Sequence, residues 1–419
     1  MERKAQARAA HAAMSTALGA VMLLGGALGA SAQDKTEITF SYLWGGAEGA
    51  ALEQIISDFN ASQDKIVVKG VSSPDMTKQL ASMSSAKGAF DISDNFASNI
   101  ASWSNQGILL PLDEFGLDTS DFPESIMKQL VVDGVLYSVP IATHNFQLVY
   151  NKKLLDEAGV TPPTSMAELA EAIKKLTKVD AEGNVTQLGL GLTDISAGLK
   201  TLGYAHGGDW NRDGKPTPTD PGFVEGVQFY YDNVVAPVTP AAYNKFVAGF
   251  GPYMSDQDSF KQGKIAMVFE GEWRAKFNTE AGMDWGVVQV PGKTPELNGS
   301  TWADVSTIFI PTNTQNKEAA GEFLKYLISP PAMEKFSHVL ANLPGRLSLV
   351  DSATYDDLPN FKVWLDALKN PNTHGLPPAL YMAEYNADLA SAFDSVLQGA
   401  QTPEAALKAV ADRTGSYSQ

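Results

Sequence analysis

The chain has no cysteine and only five histidines in 419 residues. Disulfides, thiolate metal sites, cysteine nucleophiles and iron–sulfur clusters are therefore excluded, and a centre built from several histidines is disfavoured. No metal or other cofactor is expected. Basic residues are scarce: 31 lysines and arginines face 48 aspartates and glutamates, a formal charge of −17. A surface of that sign repels phosphate backbones, so no nucleic-acid partner is expected. After the N-terminal region no run of 18 apolar residues occurs, so no membrane insertion is expected there. Hydrophobic residues at 44% and charged ones at 19% are in globular proportion, and this length suits two or three domains.

Residues 1–32 read as a leader. Arg3, Lys4 and Arg8 precede an apolar stretch from Ala17 to Leu28, and Ala30-Ser31-Ala32 supplies small residues for cleavage. This is the pattern of a secretory signal peptide, with an apolar core too short to cross ~30 Å of hydrocarbon. No twin-arginine pair precedes the core and no cysteine follows it, so general export without a lipid anchor is expected. An unanchored exported protein diffuses away from a cell lacking an outer membrane, which points to the periplasm.

Alternating Ile38, Phe40 and Tyr42 read as a strand, broken by Trp44-Gly45-Gly46. Leu52, Ile55, Ile56 and Phe59 recur at helical spacing. Lys65 to Val71 reads as a strand, Asp75 to Ser85 as a helix, and Phe90 to Ile92 as a short third strand. This order predicts an α/β fold with a mostly parallel sheet flanked by helices. Asp133 to Ile141 reads as a hairpin arm and crossover, and Leu148 to Tyr150 as a buried strand. Helices are expected over 153–158, 167–178, 225–233, 317–328, 332–340, 359–369, 383–398 and 403–413. Strands are expected over 265–269, 286–290 and 308–310. Residues 207–222 read as a long loop, and 180–206 are assigned no element.

Three stretches carry a family resemblance. Residues 140–157 read PIATHNFQLVYNKKLLDE, residues 263–273 GKIAMVFEGEW, and residues 306–330 STIFIPTNTQNKEAAGEFLKYLISP. In order and spacing they resemble the maltose-binding-like extracellular solute-binding proteins of bacterial ABC importers, over roughly residues 36 to 345. Gln147 departs from the pattern, standing where the family has a small residue. The resemblance implies two α/β lobes joined by a hinge, with a ligand held in the cleft and closure around it. It also implies docking of the loaded form on the permease's membrane subunits. The lobes are expected at 33–141 plus about 304–350, and at 142–303 plus about 351–419, with hinge segments near Ile141 and Asp304. A monomer is expected.

Ligands of open α/β sheets sit beyond the carboxyl ends of strands. After the first strand come Tyr42, Trp44 and Glu48, although the glycines between them could simply turn the chain. Asp94 and Asn95 follow the third strand, where similar proteins place polar groups against ligand hydroxyls; a helix cap is the alternative. His144 and Asn145 lie at the crossover, with a structural histidine as the alternative. Glu270 and Trp273 fall near the turn where the family's pocket lies. Trp302 and Asp304 precede the last strand, and Trp210 borders the long loop. Arg346 resembles a basic position after the family's late helices, with a surface ion pair as the alternative. Carboxylates and amides pair with neighbouring hydroxyls, and flat rings pack on the apolar face of a sugar.

Asp209-Trp210-Asn211-Arg212-Asp213-Gly214 fits the start of a calcium loop, but its twelfth position is Asp220 rather than glutamate. The pair Glu270 and Glu272 suggests a secreted carbohydrate-active enzyme as a rival, without supporting catalytic groups. The expectation is a periplasmic, non-enzymatic binder of a neutral mono- or oligosaccharide. A sugar alcohol or a glycerol-phosphate ester is the alternative ligand, and a receptor reporting to a sensor is a third role.

Overall fold

Ile38, Phe40 and Tyr42 alternate with Thr39 and Ser41 along the strand Thr36–Tyr42, and all three are buried on one face. In the computed structural model this strand lies between Ile66–Ser72 and Ile92–Phe96, parallel to both. The structure describes residues 35–417 apart from Pro377. The assigned signal peptide lies outside the described residues. The strand Thr301–Phe309 joins the sheet antiparallel to Ile92–Phe96 and to Val139–Asn145, and Thr373–His374 runs parallel beside its start. The helix Gly46–Ser62 buries Leu52, Ile55, Ile56 and Phe59 against this sheet. The late helices Lys317–Leu327 and Pro330–Leu340 fill the same core.

A second sheet has the order Trp285–Val288, Gln147–Asn151, Ile265–Glu270, Val185–Gly191, Lys178–Val179. Only Ile265–Glu270 and Val185–Gly191 pair in parallel. Every residue of Ile265–Glu270 is buried, as a strand covered on both faces requires. The helix Met166–Leu176 begins at Ser165, whose hydroxyl accepts from the Glu168 N–H, while the Glu168 carboxylate accepts from the Thr164 N–H. Such a reciprocal cap satisfies donors the helix start leaves open. Helices Pro221–Tyr230, Met382–Leu397 and Pro403–Ala411 complete this second core.

The chain thus forms two lobes, each with its own sheet and core. It passes from the first sheet to the second at Phe146, between Asn145 and Gln147, and returns at Thr301. A third passage runs by Leu343, whose carbonyl accepts from the Thr143 N–H. The crossings therefore fall at Phe146 and Thr301 rather than near Ile141 and Asp304.

Several elements differ from the sequence reading. The third strand is Ile92–Phe96, displaced from 90–92 because its polar side chains are satisfied internally: Gln79 donates to Ser93 Oγ, the Leu43 N–H donates to the Asp94 carboxylate, and Asn95 donates to Gln79. The return strand is nine residues long, Thr301–Phe309. The unassigned stretch holds the strand Val185–Gly191 and the helix Ile195–Ala205. Gly198 and Gly203 mask that helix in the sequence. They are needed for packing: a Cβ on Gly203 would meet the Phe223 ring at 2.2 Å, and one on Gly226 would meet the Gly203 nitrogen at 2.5 Å. Two helices cross there in backbone contact. The parallel order expected of the first region holds for its first three strands, while the second sheet is mostly antiparallel.

Candidate functional site

The floor of the cleft follows from alternation along Thr301–Phe309. Ala303, Val305 and Thr307 are buried, which leaves Trp302, Asp304 and Ser306 on the other face. Asp304 lies directly opposite His144 in the register with Val139–Asn145. His144 Nε2 is 3.0 Å from Ser306 Oγ, and its Nδ1 is 2.6 Å from Glu272 Oε1. Burial alone would push this imidazole down, but the Glu272 charge and hydrogen bond, with Asp304 and Glu48, outweigh burial and raise it. Glu272 is fully buried, and its Oε2 has no protein partner. Glu48 stands in the first turn of Gly46–Ser62; crowding at this mouth raises its carboxyl, opposed by Lys276 and His144.

An aromatic band runs beside this floor. Trp273 packs edge-on against His144 at 5.7 Å and Phe146 at 5.8 Å, and Phe146 stacks on Trp302 at 5.7 Å. Trp273 is fixed by its Nε1–H, which donates to Tyr253 Oη at 2.6 Å. The Trp302 Nε1–H is buried and has no partner among the described residues, a state that costs about 1–3 kcal/mol until an acceptor arrives.

Beyond Trp302 lies a cavity of about 170 Å³, well above the ~10–15 Å³ that one water needs. Ser98 and Gln129 line it from the first lobe, and Lys200, Met382 and Asn386 from the second. Asp304 borders it too; burial raises its carboxyl, against the opposing pull of His144, the Val305 N–H and Lys200. The ammonium of Lys200 lies 3.9 Å from the Trp210 ring centre and 5.2 Å from that of Trp302. Burial pushes it down to about 8.

The structure brings His144, Trp273, Trp302 and Asp304 together, with Glu48 at the mouth. Trp44 packs edge-on against Phe336 at 5.4 Å. Asp94 sits in the middle of the strand Ile92–Phe96 and accepts from the Leu43 N–H at 2.8 Å; burial pushes its carboxyl up to about 8.

Other expected contact residues are engaged by structural partners within the protein. Tyr42 is buried and donates to Glu53. Asn95 donates to Gln79 and accepts from the Phe96 N–H and from Asn99. Asn145 donates to the Trp364 carbonyl and accepts from Gln147, which in turn accepts from the Val290 N–H. The departure at Gln147 is thus a packing change. Glu270 accepts from Thr193, Tyr253 and Arg274, and Arg274 also pairs with Asp258 at 3.0 Å. Trp210 is fully buried beneath Lys200. Arg346 donates to the Ile328 carbonyl, pairs with Asp121 at 3.5 Å and lies 4.6 Å over the Phe122 ring centre.

The calcium-loop reading gives way to a hairpin. Asn211–Arg212 pairs with Lys215–Pro216 around Asp213 and Gly214, both at positive φ. That is the two-residue turn that suits the twist of paired strands. Asp209 accepts from the Asn211 N–H, and Asp220 pairs with Arg212 and caps the next helix. Among the described residues no group of three or more acidic or histidine side chains is placed to hold a metal ion.

Phe146, Lys200 and Asn386 escaped the sequence reading. Phe146 hides inside the apolar run FQLVY. Lys200 carried a usable signal, as the lone charge in ISAGLKTLGYA.

A family model described as bacterial extracellular solute-binding protein matches residues 54–363. The chain is similar to the maltotriose-binding protein of Pyrococcus abyssi, at 26% identity over 245 residues, 56% of this chain and 50% of that protein. The match thus spans about half the length of that relative. A binding protein of Brucella abortus is 26% identical over 316 residues, 72% of this chain and 73% of that protein. Among solved structures, the cyclic α-maltosyl-1,6-maltose binding protein of Arthrobacter globiformis superposes with a TM-score of 0.75 at 20% identity, covering 91% of this chain and 98% of that one. At that identity the likeness establishes the two-lobe fold. These relatives are named as binding proteins and not as enzymes.

Proposed function

Because the chain belongs to the bacterial extracellular solute-binding protein family, we propose that it is the exported, monomeric sugar-binding component of an ABC importer. It takes up a neutral mono- or oligosaccharide between the lobes in the periplasm and delivers it to the permease. The observation that carries this reading is the band Trp273, Phe146 and Trp302 bordered by open hydrogen-bonding groups. Flat rings supply faces for the C–H side of a sugar. The unpartnered Trp302 Nε1–H and Glu272 Oε2 supply a donor and an acceptor for hydroxyls. The names of the maltotriose- and cyclic maltosyl-maltose-binding relatives support an oligosaccharide. A glycerol-phosphate ester loses its main support, since Arg346 is held by Asp121 and the Ile328 carbonyl.

A thermal-melt screen of the chain from Gln33 tests this against sugars, polyols, glycerol phosphates and CaCl₂. A ligand present at 100 times its dissociation constant adds about 2.7 kcal/mol, a shift of several degrees. A shift with saccharides alone is expected. Shifts confined to glycerol phosphates or calcium, or none at all, would remove the saccharide reading.

A further inference from the structure

The two charged side chains that line the 170 Å³ cavity are Lys200 and Asp304. Lys200 is 3% exposed, and its ammonium donates to Asn386 Oδ1 at 2.8 Å. Among the described residues no carboxylate comes within ion-pair distance of it. Two of its three donors remain, and indole faces occupy two sides, Trp210 beneath and Trp302 beside. Asp304 spends Oδ1 on the Val305 N–H at 2.8 Å. Its charge and that of Lys200 influence each other without touching. The cavity is therefore lined by one buried cation and one carboxylate that do not form an ion pair with each other.

We propose that Lys200 and Asp304 together act as a charge filter, each hydrogen-bonding the ligand in the cavity, so that the sugar unit seated there must be uncharged. This rests on the saccharide reading above and names the substrate class within it. A hydroxyl both accepts and donates, so it accepts from the Lys200 ammonium and donates to the Asp304 carboxylate. An ammonium on the sugar can donate to Asp304 but cannot accept from Lys200, which repels it, so it leaves the cavity with a net positive charge. A carboxylate or phosphate can accept from Lys200 but cannot donate to Asp304, which repels it, so it leaves the cavity with a net negative charge. Each wrong charge also leaves a buried group of the protein unpaired, which is the strongest form of rejection. Trp210 keeps the ammonium in place: its ring face lies against the charge, which Asp194 and Asp304 favour only from beyond ion-pair distance. Lys200 is thus a specificity-determining residue, and the wild-type pair discriminates by sign in both directions.

The test uses three probes of similar size: maltotriose, the fully deacetylated glucosamine trimer and trigalacturonate, with mannotriose as a second neutral probe. Affinities are measured by calorimetry on the chain from Gln33. Wild type is expected to prefer a neutral trimer over both charged ones by at least tenfold. Lys200→Met is expected to lose at least tenfold on the neutral probe and to narrow the gap to the cationic trimer. Asp304→Asn is expected to narrow the gap to the anionic trimer. Melting curves check that each variant is folded, and the wild-type preference stands as evidence without any variant. Equal or tighter wild-type binding of a charged trimer would overturn the filter and leave the saccharide reading intact. So would a folded Lys200→Met with unchanged affinity and selectivity. Failure of all four probes to bind would overturn the filter as argued for these trimers, and the melt screen then decides the saccharide reading separately.

Discussion

The rings of Phe146 and Trp302 lie 5.7 Å apart and 6° from parallel, and each stands where the chain passes between lobes. The same crossings are tied by Thr301, whose hydroxyl donates to the Phe146 carbonyl at 2.7 Å and accepts from the Phe146 N–H at 3.1 Å. The proposed ligand platform is therefore built from the crossing segments themselves. Any motion of the lobes must bend beside this stack, so contact with a ligand and lobe geometry are coupled through a few residues.

His144 gives a pH signature. Its folded value is raised by Glu272, Asp304 and Glu48 despite burial, above an unfolded value of about 6.5. The stability it contributes is fully present below that unfolded value and is lost as pH rises through the folded one. Denaturant unfolding of wild type and His144→Gln should therefore differ most near about pH 5.5 and converge toward about pH 9. A pH-independent difference would rule out titration of His144 as the source.

Asp94 also loses stability as pH rises, but burial rather than a charged partner is the cause. Burial raises its carboxyl to about 8, whereas an unfolded aspartate titrates near about 3.9. The folded state holds a proton that the unfolded state releases, so this site costs stability increasingly as pH rises between those values. Asp94→Asn keeps an oxygen for the Leu43 N–H. Its gain in melting temperature should be larger at about pH 8 than at about pH 5. An equal gain at both would show that burial does not shift this carboxyl.

Glu270 belongs to a buried cluster with Arg274 and Asp258. Arg274→Met would strand two buried carboxylates and should cost about 3–5 kcal/mol in unfolding free energy. Glu270→Gln should lower the melting temperature while leaving saccharide affinity within about twofold. A tenfold loss of affinity in the folded variant would return Glu270 to the ligand site.

How far the sequence reveals this molecule depends on whether a residue's role is local. Ile38, Phe40 and Tyr42, and Leu52 through Phe59, declare their strand and helix because period and burial coincide. The turns and crossings are legible where segments such as GKIAMVFEGEW keep their spacing. The helix carrying Lys200 is not, because Gly198 and Gly203 weaken its local signal while serving contacts with Leu192 and Phe223. Site residues separate in the same way. Trp302 and Asp304 are readable as polar and aromatic groups beside a strand. That Tyr42, Asn145 and Arg346 are occupied depends on Glu53, Trp364 and Asp121, the last two far away in sequence. Convergence of distant residues is set by the packed cores, which no window of sequence contains.

Trp302 offers the most direct test of the platform. It borders the cavity, stacks on Phe146, and keeps a buried N–H without a partner. Trp302→Ala removes a stacking face and that donor together, and should weaken saccharide binding by roughly tenfold or more, about 1.4 kcal/mol. Because its ring is only partly buried, the variant should still fold cooperatively. Phe146→Leu keeps an apolar filler but removes the parallel ring, so Trp302 loses its support and affinity should fall by a smaller factor. In a double-mutant cycle the two losses should be non-additive, since both act through one stack. Calorimetric titration with the best saccharide from the melt screen gives all four affinities. Additive losses would mean that the rings meet the ligand independently, and unchanged affinity in folded Trp302→Ala would remove the platform from the binding site.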